Sequence, residues 1–188
     1  MGRDALNEPP AEKMTREEFR AWAAAQPRGR FERVGGEVVA MGPERLLHVR
    51  VKYAVWQALT RAVQAAASPC EVLGDGATVA IDADTDYEPD AVVNCGPRAD
   101  GTLLAVPNPV IVVEVQSTST RHVDTGIKLI DYFRVPSIQH YLIVRVDRRA
   151  VLHHRRVADR VETTIVPSGT FELDPPGLHL DLAAFYET

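Results

Sequence analysis

The chain has only two cysteines, a 6% share of aromatic residues and no long apolar run, and each scarcity removes a class of protein. Cys70 and Cys95 are too few for a disulfide scaffold or for a zinc cage built on cysteine pairs, and they point to a reducing, cytoplasmic setting. No stretch approaches the ~18 apolar residues of a membrane span. The opening MGRDALNEPPAEK carries no apolar centre of signal-peptide length. Positive charge is short as well: 21 Lys and Arg against 26 Asp and Glu give a formal charge of -5. That balance argues against gripping nucleic acid by bulk charge, while leaving room for a local basic patch. The six histidines show neither HExxH nor paired-cysteine spacing, so a zinc enzyme is not expected.

What remains is an ordinary globular composition, 45% hydrophobic and 25% charged over 188 residues. It predicts a single domain over residues 15–188, preceded by a polar, proline-containing flexible arm over residues 1–14. Thr15 and Glu18 form a capping-box signature for a short helix through Phe19, Trp22 and Ala23. Gly35-Gly36, between Phe31–Val34 and Glu37–Met41, reads as a two-residue hairpin turn. From about Arg45 to Ala67, Leu47, Val51, Val55, Leu59 and Val63 recur four apart, predicting a long packing helix with His48 and Lys52 near the edge of its apolar stripe. Short strands are expected at 71–73, 77–81 and 90–93, then a long one from Val110. A second helix follows, with Val123, Ile127 and Ile130 as its apolar marks and Leu129 and Phe133 extending the buried side, ended by Pro136. Strands at 140–144, 151–154 and 161–166 and a short segment near 182–185 complete the order. The whole predicts an α/β fold with a mixed central sheet flanked by helices.

The long strand carries the chemistry. It reads Val110, Ile111, Val112, Val113, Glu114, Val115, Gln116, and runs into Ser117-Thr118-Ser119-Thr120. A carboxylate set among apolar strand residues loses hydration worth several kcal/mol, so it calls for a cation or a strong donor. Strand alternation puts Val112, Glu114 and Gln116 on one face and Ile111, Val113 and Val115 on the other. Asp90, after Pro89, opens the preceding short strand, and Asp124 and Lys128 lie on the helix that follows Glu114. Two carboxylates brought together repel, and a divalent cation relieves them. Magnesium, with manganese as a substitute, would take Asp90, Glu114 and a backbone carbonyl such as that of Val115. Such a site activates water for attack on phosphorus, and Lys128 is the candidate for neutralising the developing charge.

The run PDAVV, then PNPVIVVEVQSTSTRHVDTGIKLIDYF and VPSIQHYLIV, with FERVGGEVVAM upstream and a helix entered through His48, resembles the Uma-type restriction-endonuclease-like proteins. These are a branch of the PD-(D/E)XK nuclease superfamily. The resemblance spans roughly residues 15–165, and the ordered set is more specific than any single motif. It implies a restriction-endonuclease-like fold and a magnesium-dependent site that hydrolyses DNA phosphodiesters. The motif's acids fall on Asp90 and Glu114. Gln116 stands where the superfamily has a lysine, and the resemblance moves that lysine to Lys128. Glu37 matches an accessory acid after the hairpin turn, and His48 a histidine at the start of the long helix. Gln116, on the face of Glu114, would orient water.

Other charged runs have simpler readings. Asp82, Asp84, Asp86 and Glu88 alternate like a calcium loop, but Tyr87 and Val93 occupy the places of its glycine and closing glutamate, which leaves a solvated acidic loop. Arg148, Arg149, His153, His154, Arg155 and Arg156 form the most basic stretch, read as a solvated strand-turn face with a phosphate-contacting edge as the alternative. A nuclease-fold module that binds nucleic acid or a protein without cutting is the rival to the enzyme. A homodimer would supply two sites for two strands.

Overall fold

The computed structural model describes residues 9–116 and 125–187. Of the expected arm, residues 1–8 lie outside that set, and Met14 is tied down, its N–H donating to the Gly36 carbonyl and its own carbonyl accepting from Arg33. Helix α1 (Arg16–Ala25) starts at the expected capping box, with the Thr15 side chain accepting from the Glu18 N–H and the Glu18 carboxylate accepting from the Thr15 N–H. Strands β1 (Phe31–Val34) and β2 (Glu37–Ala40) pair antiparallel around Gly35 and Gly36, whose φ angles of 57° and 84° are open to glycine. With β4 (Val79–Ala80) and β5 (Asp86–Tyr87) they make a small sheet of order β2-β1-β5-β4.

Helix α2 (Leu46–Ala65) buries Val51, Val55, Leu59 and Val63 as the four-residue spacing predicts, while Leu47, placed first in that stripe, is exposed. The stripe covers one face of a six-stranded sheet of order β10-β9-β8-β7-β6-β3. Its strands are β3 (Cys70–Leu73), β6 (Ala91–Cys95), β7 (Pro109–Gln116), β8 (His140–Arg145), β9 (Ala150–Val157) and β10 (Arg160–Val166), with β7 and β8 parallel and all other pairs antiparallel. Ile111, Val113 and Val115 face α2, and Val112 faces the opposite core with Tyr132, Tyr141 and Tyr87. The architecture is the expected mixed α/β sheet flanked by helices. A hairpin of β11 (Thr170–Leu173) and β12 (Leu178–Asp181) also packs on the α2 side, and the segment at 182–185 is a 3₁₀ turn rather than a strand, capped by Asp181 on the Ala183 N–H.

Four expectations are corrected by the structure. Helix α3 (Thr125–Tyr132) ends four residues before Pro136, and its apolar marks Ile127 and Ile130 are exposed while Lys128 and Tyr132 are buried. The helix turns Lys128 and Tyr132 inward, with Leu129 and Phe133 packed against the same core as expected, so apolar spacing placed two of its marks correctly and two wrongly. The basic stretch is only partly solvated: Arg148, Arg149 and Arg155 are exposed, but His153 and His154 are buried, and Arg156 donates to the carbonyls of Ile138, Phe133 and Val135. The acidic loop is only partly solvated, because Asp86 is buried against Arg33 and Arg16. Finally, Cys70 and Cys95 are joined in a disulfide, since the antiparallel register of β3 and β6 sets them directly opposite. The expectation of a reducing setting did not anticipate that pairing. Among the described residues, no helix is long and apolar enough to cross a membrane.

His140 and His153 form a buried relay with a pH consequence. His140 Nε2 lies 2.9 Å from the Pro175 carbonyl, which only accepts, so Nε2 carries the proton and Nδ1 is left to accept from His153 Nε2 at 2.9 Å. Burial depresses both to about 4, with His153 further opposing charge on His140 and Arg155 opposing it on His153. The folded state therefore stays neutral while the unfolded chain takes up protons below its ordinary histidine value. The contribution of the pair to stability is full above about pH 6.5 and falls as the pH drops toward 4, by roughly 3 kcal/mol for each histidine over that window. Urea unfolding between pH 7 and 4.5 should show this slope, flattened in His140→Gln/His153→Gln. An unchanged slope in that variant would assign the loss to other groups.

Candidate active site

The ladder between β6 and β7 places the expected acids. Ala91 pairs with Val113, so Asp90 enters the sheet beside Glu114, its own N–H donating to the Val113 carbonyl at 2.9 Å. The Asp90 carboxylate accepts from the Val115 N–H at 2.6 Å. Val115 thus meets Asp90 through its amide. Glu114 projects on the Val112 face, where one of its oxygens accepts from Lys128 Nζ at 2.9 Å and from the Tyr132 hydroxyl at 2.8 Å. Lys128 also donates to Glu32 on β1 at 2.9 Å, and Glu32 accepts from the Glu88 N–H. The Lys128 ammonium lies 4.7 Å from the centroid of the Tyr87 ring, whose hydroxyl donates to Asp131.

A second ammonium reaches the site from α2, on the other face of the sheet. Lys52 Nζ stands 2.8 Å from Asp90, 2.8 Å from Glu44 and 2.7 Å from Asp75. His48, one turn earlier, puts Nε2 4.0 Å from both Asp90 and Glu44. Ligand atoms of Glu44, His48 and Asp90 all lie within 4.8 Å of one another, a spacing that could hold a metal ion. Glu114 is outside this set. The cluster and the pair read from the sequence therefore share Asp90.

The electrostatics follow from burial. Loss of water, then the nearby Glu114, pushes Asp90 up to about 7 against the opposing pull of Lys52 and the Val115 amide. Burial also raises Glu32, which Lys128 counters and Glu114 reinforces. For Lys128 and Lys52 burial opposes the charge, but surrounding carboxylates outweigh it and hold both above the ordinary lysine value. Burial is the leading cause that lowers His48, so its imidazole is neutral and has a lone pair to offer. Burial and Glu114 keep the Tyr132 phenol protonated. Two carboxylate oxygens and one neutral imidazole suit a hard or borderline divalent cation.

The remaining expected residues fall apart. Gln116 ends β7 on the Glu114 face, half-buried, with its backbone carbonyl accepting from Val146. Glu37 is exposed on β2, and among the described residues no hydrogen bond or ion pair reaches its side chain. Asp124 and Ser117-Thr118-Ser119-Thr120 lie outside the described residues. The acids and bases missed were Glu32, Glu44, Lys52, Asp75 and Tyr132. Two signals were available. Glu44, His48 and Lys52 step by four, the spacing of one helix face. The chain also has only three lysines, at 13, 52 and 128, and two are buried here.

Residues 16–184 match the family described as "Uma2: Putative restriction endonuclease". The chain belongs to that family. It has the nuclease fold of the PD-(D/E)XK superfamily, with a candidate metal-binding cluster at the mouth of its sheet. The uncharacterized protein slr1290 of Synechocystis sp. is 29% identical over 136 residues, which is 72% of this chain and 70% of that one. A crystal structure of "a putative nuclease belonging to DUF820" from Anabaena variabilis superposes with a TM-score of 0.70 at 15% identity, covering 92% of this chain and 97% of that one. At that identity the likeness is one of fold.

Proposed function

We propose that this Uma2 protein is a metal-dependent nuclease that hydrolyses DNA phosphodiester bonds, with Asp90 as its central ligand. One observation carries the reading: a buried carboxylate at the start of β6, made costly to ionise by burial and Glu114, stands beside Glu44 and neutral His48 in a nuclease fold. Magnesium, or manganese in its place, would be held by Asp90, with Glu114 and the Val115 carbonyl on one side and Glu44 and His48 on the other. A cation bound there polarises a phosphoryl oxygen and makes a water molecule a stronger nucleophile. Lys128 and Tyr132 fix the Glu114 carboxylate, and the Lys128 charge opposes the negative charge that grows on phosphorus. Gln116 orients the attacking water. Glu32 takes the accessory acidic role first assigned to Glu37.

The test uses supercoiled plasmid and single-stranded DNA with magnesium, manganese or chelator. Nicking is expected with metal only, and Asp90→Asn and Glu114→Gln should lower it by about a hundredfold or more. Retarded DNA migration without cleavage would overturn the enzyme in favour of a binding module, a reading that Gln116 in the lysine position favours. Sedimentation of the active protein tests the homodimer that cutting both strands would use.

A further inference from the structure

Lys52 occupies the side of Asp90 and Glu44 that a cation would need. Its side chain is 5% exposed, and the three protons of its ammonium match three carboxylate partners at 2.7 to 2.8 Å. Two of those partners, Asp90 and Glu44, belong to the ligand set closed by His48. Lys52 meets Asp90 at Oδ1 while His48 faces its Oδ2, and both approach Glu44 Oε1. An ammonium and a divalent ion on the same two carboxylates would lie within a few ångströms of each other, and their repulsion there is only weakly screened. The third partner differs. Asp75 is 47% exposed at its side chain and lines an open groove of about 620 Å³. A lysine stem has four flexible bonds, so its head can leave Asp90 while keeping one carboxylate.

We propose that Lys52 is a built-in counter-ion of the metal cluster, displaced from Asp90 toward Asp75 when a divalent cation binds. The proposal rests on the metal-site reading above and deepens it. Lys52 keeps the buried carboxylates neutralised in the metal-free protein, and affinity for metal is set by the exchange of one cation for another. After the exchange, the ammonium faces the groove beside Asp75.

With three lysines in the chain, the ammonium signals are separable by nitrogen NMR, and Lys52→Arg assigns the one that matters. Titrating wild-type protein with magnesium should shift or erase the protected Lys52 signal in step with binding measured by calorimetry. In Lys52→Met, manganese should bind about tenfold tighter, a change of about 1.4 kcal/mol. Magnesium binding with an unmoved Lys52 signal, or manganese affinity unchanged or weaker in Lys52→Met, would overturn the exchange and leave the metal site standing. No metal binding by either protein would overturn both. The wild-type titration keeps the proposal testable should Lys52→Met fail to fold.

Discussion

Lys128→Met is expected to lower the stability of the fold by about 3 to 5 kcal/mol, the cost of leaving buried charge without its partner. Side-chain exposures of 6% at Lys128, 4% at Glu32 and 13% at Glu114 leave little water to replace the ammonium. Both carboxylates would then face each other across the space it filled. Because the damage is unpaired charge rather than lost volume, Lys128→Met/Glu32→Gln should recover part of the loss. Ile130→Gln, two positions on, should change stability by less than about 0.5 kcal/mol, since Ile130 is exposed. Urea unfolding of these variants tests the arrangement directly. A loss under 1 kcal/mol in Lys128→Met, or an equal loss in Ile130→Gln, would show that the helix does not bury the face described here.

Manganese affinity should fall by about a hundredfold between pH 7 and pH 5, about tenfold for each unit. Asp90 is pushed up to about 7, so below that pH its folded form carries a proton that an incoming cation must expel. Its effect on stability has the opposite sign to that of the histidine relay. A carboxyl raised on folding favours the folded state when protonated, and that contribution disappears as the pH rises from the ordinary aspartate range through about 7. His48, lowered chiefly by burial, gains a proton only at lower pH and adds to the loss of affinity at the acid end. Calorimetry in two buffers of different ionisation enthalpy should detect proton release on binding at pH 6 and little at pH 8. Binding that is level across this range would place the metal on groups other than Asp90.

Much of the candidate site was legible because its signals are local. Glu114 stands out where strand alternation meets a charge, and the alternation also assigns its face correctly. Asp90 was found by its place at the head of the neighbouring strand. Lys128 was named for its charge on the helix after Glu114 and strengthened by family resemblance, while the apolar marks Ile127 and Ile130 put the wrong positions inward; apolar spacing assumes that the inward face is the apolar one. Glu37 was named through its place after the hairpin turn, and Glu32 was missed. Both flank the hairpin, and only the packing of β1 against β5 and α3 shows which one turns toward the ammonium.

By itself the sequence determined the order of helices and strands apart from β5 and the hairpin of β11 and β12, the mixed sheet, the two faces of β7 and the positions of the acids at 90 and 114, all consequences of periodicity within a dozen residues. The tertiary structure alone decided the partners: Glu32 with Lys128 across 96 positions, Lys52 among Glu44, Asp75 and Asp90, His140 between His153 and Pro175, and Cys70 opposite Cys95. Those pairings depend on strand register and on which strand end meets which helix. Charges so far apart in the chain meet only when the sheet has brought them together, and burial then sets how strongly they bind.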